Sequence, residues 1–242
     1  MIYKLEKEEN QVAIYTIGDL HLSFNTNKPM DVFGDIWKDY EEKIKQNWLE
    51  KVKENDLVIL PGDFSWAMYL EETEKDFEFI NNLPGRKILL KGNHDYWWTT
   101  VTNMRNYVTE KGFKNIDFLH NNSYGFENKI IAGTKGWTLS EEAEDIRLTK
   151  RETDRLELSI KNGIEQFGAD KEIIIFMHYP PITKNYLNTS YAQIMKKYNV
   201  KRCYYGHLHS NSIKEAVQGN IDGIEYKLVS ADGLEFNLLQ VN

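Results

Sequence analysis

Five of the six histidines in this 242-residue chain fall in short runs with carboxylates, amides and glycines. The runs are Gly18-Asp19-Leu20-His21, Gly62-Asp63, Gly92-Asn93-His94-Asp95, His178-Tyr179-Pro180-Pro181 and Gly206-His207-Leu208-His209. Asp19/His21 and His207/His209 are i, i+2 pairs, and in extended chain such residues point to the same side. Each pair can therefore address one site. Carboxylate, imidazole and amide oxygen together suit borderline divalent ions, with Mn, Fe, Zn and Ni as the candidates. Asp19, His21, Asp63, Asn93, His178, His207 and His209 are too many ligands for one tetrahedral centre, but they suit two adjacent metals that share a carboxylate. A two-metal centre supports in-line displacement at phosphorus. It offsets charge on the phosphoryl oxygens and lowers the pKa of a bridging water, so that hydroxide can attack, while a nearby imidazole protonates the leaving oxygen.

Such ligands need rigid supports. The apolar run 12–17 predicts a strand ending at Gly18-Asp19, 57–60 a second ending at Pro61-Gly62-Asp63, and 87–90 a third running into Gly92-Asn93. Between them, Ile36, Tyr40, Ile44, Trp48 and Val52 recur every four residues and predict a helix over 35–55; shorter helices follow over 70–82 and 97–111. This β-α-β-α-β-α alternation implies an α/β fold with a largely parallel sheet, in which ligands sit at the carboxyl ends of the strands. The glycines allow sharp turns there. Residues 116–119, 123–126 and 129–132 read as short strands of a second sheet, and 133–137 as a loop. Leu156, Ile160, Ile164 and Phe167 mark a long helix over 145–167. A strand at 173–177, a helix carrying Leu187, Tyr191, Ile194 and Tyr198, and a strand at 203–205 follow. From 212 onward, apolar alternation broken by Asn and Asp-Gly turns predicts antiparallel strands closing the second sheet. Without repeats or linkers, residues 1–242 read as one domain.

In this order, the five blocks resemble the calcineurin-like metallophosphoesterase superfamily, over residues 18–209. The resemblance implies a four-layer α/β/β/α sandwich of two mixed sheets flanked by helices. It implies that Asp63 bridges two metals, that Asp19, His21 and His209 complete one site and Asn93, His178 and His207 the other, and that His94 is the general acid. Asp95 is then a supporting residue rather than a ligand. The His178-Tyr179-Pro180-Pro181 block is similar to that of the small bacterial phosphohydrolases and phosphodiesterases. Phe64-Ser65-Trp66-Ala67 stands where the protein serine/threonine phosphatases carry Asp-Arg-Gly, which argues against that activity. The implied activity is hydrolysis of a small-molecule phosphomonoester or phosphodiester. A non-catalytic metal-binding scaffold of the same fold is the alternative, and a nuclease is the third reading.

The bulk composition narrows the field. The net charge is −7, from 30 basic and 37 acidic residues, the wrong sign for a nucleic-acid clamp. The sequence has neither a signal pattern nor an apolar run of membrane-spanning length, so it predicts a cytoplasmic protein with no membrane insertion. Cys203, the lone cysteine, reads as a core residue and suits a reducing compartment. His120 reads as part of a surface turn. Tyr96, Trp97 and Trp98 read as packing beneath the site in preference to a base-stacking platform. Arg147, Arg151 and Arg155 form a stripe at helical spacing. Pairing with Glu144, Glu152 and Asp154 on a solvated face is preferred for it over a phosphate grip. Trp137 in the 133–137 loop, Arg151 and Asp95 are the candidates for substrate contact or support.

Overall fold

The computed structural model describes residues 12–241. In chain order the strands are β1 (Ile14–Thr16), β2 (Leu57–Pro61), β3 (Arg86–Leu90), β4 (Ile116–Leu119), β5 (Tyr124–Phe126), β6 (Lys129–Thr134), β7 (Glu172–Met177), β8 (Arg202–Tyr205), β9 (Gly219–Ile221), β10 (Ile224–Leu228) and β11 (Leu239–Val241). The helices are α1 (Tyr40–Lys51), α2 (Glu74–Asn81), α3 (Val101–Glu110), α4 (Ala143–Phe167) and α5 (Ser190–Lys197). One sheet has the order β11-β1-β2-β3-β4 and the other β5-β6-β7-β8-β10-β9. Both are mixed: parallel at their centres, antiparallel at β11, β5 and β9.

The central strands read as unbroken apolar runs because both their faces are buried, and their side chains still alternate in destination. Tyr15, Val58, Leu60 and Leu89 join Ile44, Trp48, Phe77 and Met104 beneath α1–α3. Their neighbours Ile14, Leu57, Ile59, Ile88 and Leu90 face the other way and meet Ile131, Ile174, Phe176 and Tyr204 of the second sheet. That sheet's outer residues, among them Ile130, Ile175 and Tyr205, pack on Leu156 and Ile160 of α4 and Tyr191 and Met195 of α5. Three apolar interfaces thus separate four layers, the α/β/β/α sandwich expected. Cys203 is buried in the outer interface of the second sheet.

Several details depart from the sequence reading. β4 pairs in parallel with β3 and completes the first sheet, not the second, because α3 forms a crossover that returns the chain beside the strand it left. The final strand β11 also joins the first sheet, antiparallel to β1, and β10 runs parallel to β8. The expected helix at 35–55 begins only at Tyr40. Two 3-10 turns precede it, and there Trp37 is buried while Ile36 is exposed. α3 begins at Val101, where Thr100 Oγ1 accepts the N–H of Asn103 at 3.2 Å as an N-cap. Trp97 and Trp98 lie in the preceding turn and are buried, whereas Tyr96 is exposed. Among the described residues, no helix is long and apolar enough to cross a membrane.

Candidate metal centre

The strand ends that carry the charged and imidazole residues adopt costly backbone geometry. Asp19, His21, Asp63 and His207 have φ of 57°, 46°, 50° and 75°, a left-handed region that costs non-glycine residues on the order of 1–3 kcal/mol each and persists only where the surroundings enforce it. Hydrogen bonds between neighbouring loops do so here: Asp19 N–H donates to Gly62 O and His21 N–H to Asp63 O, both at 2.9 Å. The glycines serve mainly close approach. A Cβ on Gly92 would lie 2.0 Å from Asp63 Oδ1, and one on Gly206 2.3 Å from Asp19 Oδ2. Neither has a positive φ, so the expected sharp turn is not the reason for these two. Gly62, with φ 97°, meets both conditions, since its Cβ would also strike His178 Nδ1 at 2.5 Å.

All seven residues converge. Asp19, His21 and His209 each offer an atom within 4.8 Å of the others. A second group forms alongside. Asn93 Oδ1 is 2.7 Å from His178 Nε2 and 2.8 Å from His207 Nδ1, and these two nitrogens are 3.3 Å apart. Asp63 stands between the groups, with Oδ2 3.7 Å from His21 Nε2 and 3.5 Å from His178 Nε2. His178 Nδ1 also approaches Asp19 to 3.7 Å, but this nitrogen is 3.2 Å from the Pro61 carbonyl. If Nδ1–H donates there, the free lone pair is on Nε2, toward Asn93 and Asp63.

The electrostatics suit cations. Burial above all, aided by neighbouring imidazoles, lowers His178 and His207 to about 3 and puts His21 well below its ordinary range. These rings are neutral, which is the form that binds metal. Burial also acts to lower His209, but the carboxylates of Asp19 and Asp232 outweigh it and raise the ring to about 10. Burial, reinforced by Asp95 and Asp19, raises Asp63 well above the usual carboxylate range. His21 Nδ1, His94 Nδ1 and His209 Nε2 are buried with no hydrogen-bond partner among the described residues. Crowded carboxylates and the neutral imidazoles of His21, His178 and His207, joined by His209 once a metal displaces the proton it holds toward Asp19, form a donor set that fits divalent ions.

The remaining candidates lie around this core. His94 is half-buried. Its N–H donates to Asp63 Oδ1 at 2.8 Å, and its ring lies 4.6 Å from that of Trp66. Asp95 sits behind the cluster. It accepts N–H groups from Asp63, Phe64, Ser65 and Gly92 and from the Trp97 indole, at 2.7–3.3 Å, tying the loops after β2 and β3 together. Trp137 donates from Nε1 to Asp145 at 2.8 Å and lies 5.7 Å from the Tyr179 ring, which in turn stands 4.2 Å from that of His207. Arg151 is outside the cluster, paired with Glu152. Arg147 pairs with Glu144 on the exposed face expected. His120 occupies a turn after β4 but is half-buried, with its ring 6.2 Å from Trp98.

Three residues here had escaped the sequence reading. Asp232 Oδ1 is 2.8 Å from His209 Nδ1, yet Asp232-Gly233 reads only as a turn. Trp66 stacks on His21 at 4.7 Å, and Tyr179 abuts His207; both lie in runs quoted above, where their types alone do not mark them as neighbours of these rings.

Two facing mixed sheets thus gather carboxylate, imidazole and amide donors at their strand ends. The sequence profile of the calcineurin-like phosphoesterase family matches residues 12–211, and the chain belongs to that family. The fold is also similar to several solved structures. A protein of unknown function from Aquifex aeolicus is 19% identical, with a TM-score of 0.50 and 95% of each chain covered. Phosphopantetheinyl hydrolase from Mycobacterium tuberculosis is 15% identical, with a TM-score of 0.53 and 95% of each chain covered. A Thermus thermophilus protein, TT1561, is 14% identical, with a TM-score of 0.55, covering 96% of this chain and 99% of that one. Identities this low speak for the fold alone. No curated protein matches the chain.

Proposed function

We propose that the chain hydrolyses phosphomonoesters or phosphodiesters at a dinuclear centre. The observation that carries this reading is the place of Asp63, whose Oδ2 faces His21 on one side and His178 on the other. Asp19, His21 and His209 would hold one ion and Asn93, His178 and His207 the other, with Asp63 shared. Divalent ions bound there offset charge on the phosphoryl oxygens and make water nucleophilic near neutral pH. The chain's own residues do the rest. Asp232 orients His209 through Nδ1, and Pro61 O does the same for His178. Asp95 fixes the loops that carry Asp63 and Asn93. Trp66 stands against both His21 and His94, shielding one side of the cluster.

His94 is the proton donor to the leaving oxygen. Its Nδ1 is buried without a partner, so the proton leaves from Nε2. A scaffold that had shed catalysis has no use for a non-ligand imidazole beside a complete ligand set, and the presence of His94 therefore favours the enzyme. A screen of p-nitrophenyl phosphate, bis-p-nitrophenyl phosphate and nucleotides with Mn- or Ni-supplemented protein tests the reading. Turnover that a chelator abolishes is expected. Metal-loaded protein inert on every phosphoester would overturn it in favour of the scaffold.

A further inference from the structure

A cleft of about 270 Å³ opens at the same end of the sheets, bordered by Lys91 after β3, His120 after β4, Lys135 after β6, and Arg151 and Arg155 of α4. Its charge is one-sided. The carboxylate that meets these cations is Glu152, only 1% exposed and already engaged. It accepts from Arg155 Nη1 at 2.8 Å and Thr134 Oγ1 at 2.6 Å, and pairs with Arg151 at 3.2 Å. Glu152 thus anchors two guanidiniums side by side while leaving most of their N–H donors uncommitted. One carboxylate balances one of the arginines, so balancing Glu152 explains neither the second arginine nor the lysines.

Among the described residues, Lys91 and Lys135 have no ion pair and no side-chain hydrogen bond. Lys135 Nζ instead lies 4.1 Å from the ring centre of Trp137 and 5.7 Å from that of Tyr179. Burial depresses Lys135 to about 8; Glu152 attracts it, while Lys91, Arg151 and Arg155 repel it. Gathering like charges in a half-buried cleft is unfavourable until an anion enters.

The cleft adjoins the metal centre. The Tyr179 ring lies 5.7 Å from Lys135 Nζ and 4.2 Å from the His207 ring, and Lys91 is two residues from Asn93 in the chain. Arginine forks with lysine point charges form the arrangement that recognises phosphate. We propose that this cleft binds a second phosphate of the substrate, so that the enzyme acts on phosphoesters that carry two phosphates on a short spacer. The proposal rests on the hydrolase reading above.

The test compares fructose 1,6-bisphosphate and adenosine 3′,5′-bisphosphate with their monophosphates on the Mn-loaded protein. The expected kcat/KM advantage of at least one bisphosphate is roughly tenfold or more, the scale of a charge-assisted contact. It should shrink in Lys135→Gln, chiefly through KM, and return in Lys135→Arg. Lys135 is preferred to the arginines as the test position because it has no buried partner to strand. Calorimetric titration of the same four compounds into the His94→Ala holoenzyme reads binding without turnover. Tighter bisphosphate binding that Lys135→Gln abolishes supports the cleft even where the wild type turns over nothing, an outcome that would sink only the hydrolase reading. Turnover with equal rates and equal binding for both bisphosphates and their monophosphates would overturn the cleft and leave the hydrolase standing.

Discussion

Nδ1 of His209 lies 2.8 Å from Oδ1 of Asp232, a buried carboxylate in the loop after β10. The other oxygen of Asp232 accepts the Ser210 N–H at 2.9 Å, so one side chain sets both the ring and the backbone beside it. A carboxylate behind a ligating histidine fixes its tautomer and raises its basicity. Asp232→Asn is therefore expected to weaken metal binding roughly 10- to 100-fold, with circular dichroism unchanged. Metal titration checks this, and an unaltered affinity would remove Asp232 from the site.

His94 gives its backbone N–H to Asp63, and in the proposed reaction its side chain is the acid; the two roles separate by mutation. His94→Ala keeps the N–H and the metals but should lower kcat by roughly 10²- to 10⁴-fold. The loss should be greater for alkyl phosphoesters than for p-nitrophenyl esters, whose leaving group needs little protonation. An equal loss for both classes, measured at equal metal content, would contradict the acid role.

Lys87 offers a test of stability away from the site. It is fully buried in β3, with its ammonium on the Leu83 carbonyl, and burial lowers its pKa to about 7 from 10.5. The unfolded chain then binds more protons than the native one between these values, so stability rises with pH across that window and Lys87 penalises folding below it. Lys87→Met should flatten this rise, on the order of a few kcal/mol for a group so buried. Denaturant unfolding at pH 6.5 and pH 9.5 measures it. A slope unchanged by the mutation would mean that Lys87 stays charged in the fold.

The contrast between Asp63 and Asp232 explains how far the sequence could be read. Asp63 ends a strongly apolar strand, and its neighbours in the site end other such strands, so the pattern of runs and glycines exposes them together. Asp232 lies four residues beyond β10, an equally long strand whose burial alternates, and meets His209 only through the tertiary fold. The two-sided burial of β2, β3 and β7 was legible as continuous apolar runs, which fixes strands but not sheet membership. β4 and β11 were therefore misplaced, because an apolar stretch of three or four residues does not say which neighbour it pairs with. Arg151 and Arg155 read as a solvated stripe since helical spacing reveals a common face, whereas the lysines opposite them arrive from two different strands.

The central claim is that one carboxylate, Asp63, joins two metal positions. Metal content after saturation with Mn and removal of excess ion, measured on wild type and Asp63→Asn, tests it most directly. The account predicts about two equivalents per chain in the wild type, with anomalous scattering placing the ions about 3.5–4 Å apart over the strand ends. It predicts a loss of metal in Asp63→Asn that is matched by the loss of phosphoesterase turnover. A wild type that binds a single ion, or an Asp63→Asn protein that retains both ions and full activity, would contradict it.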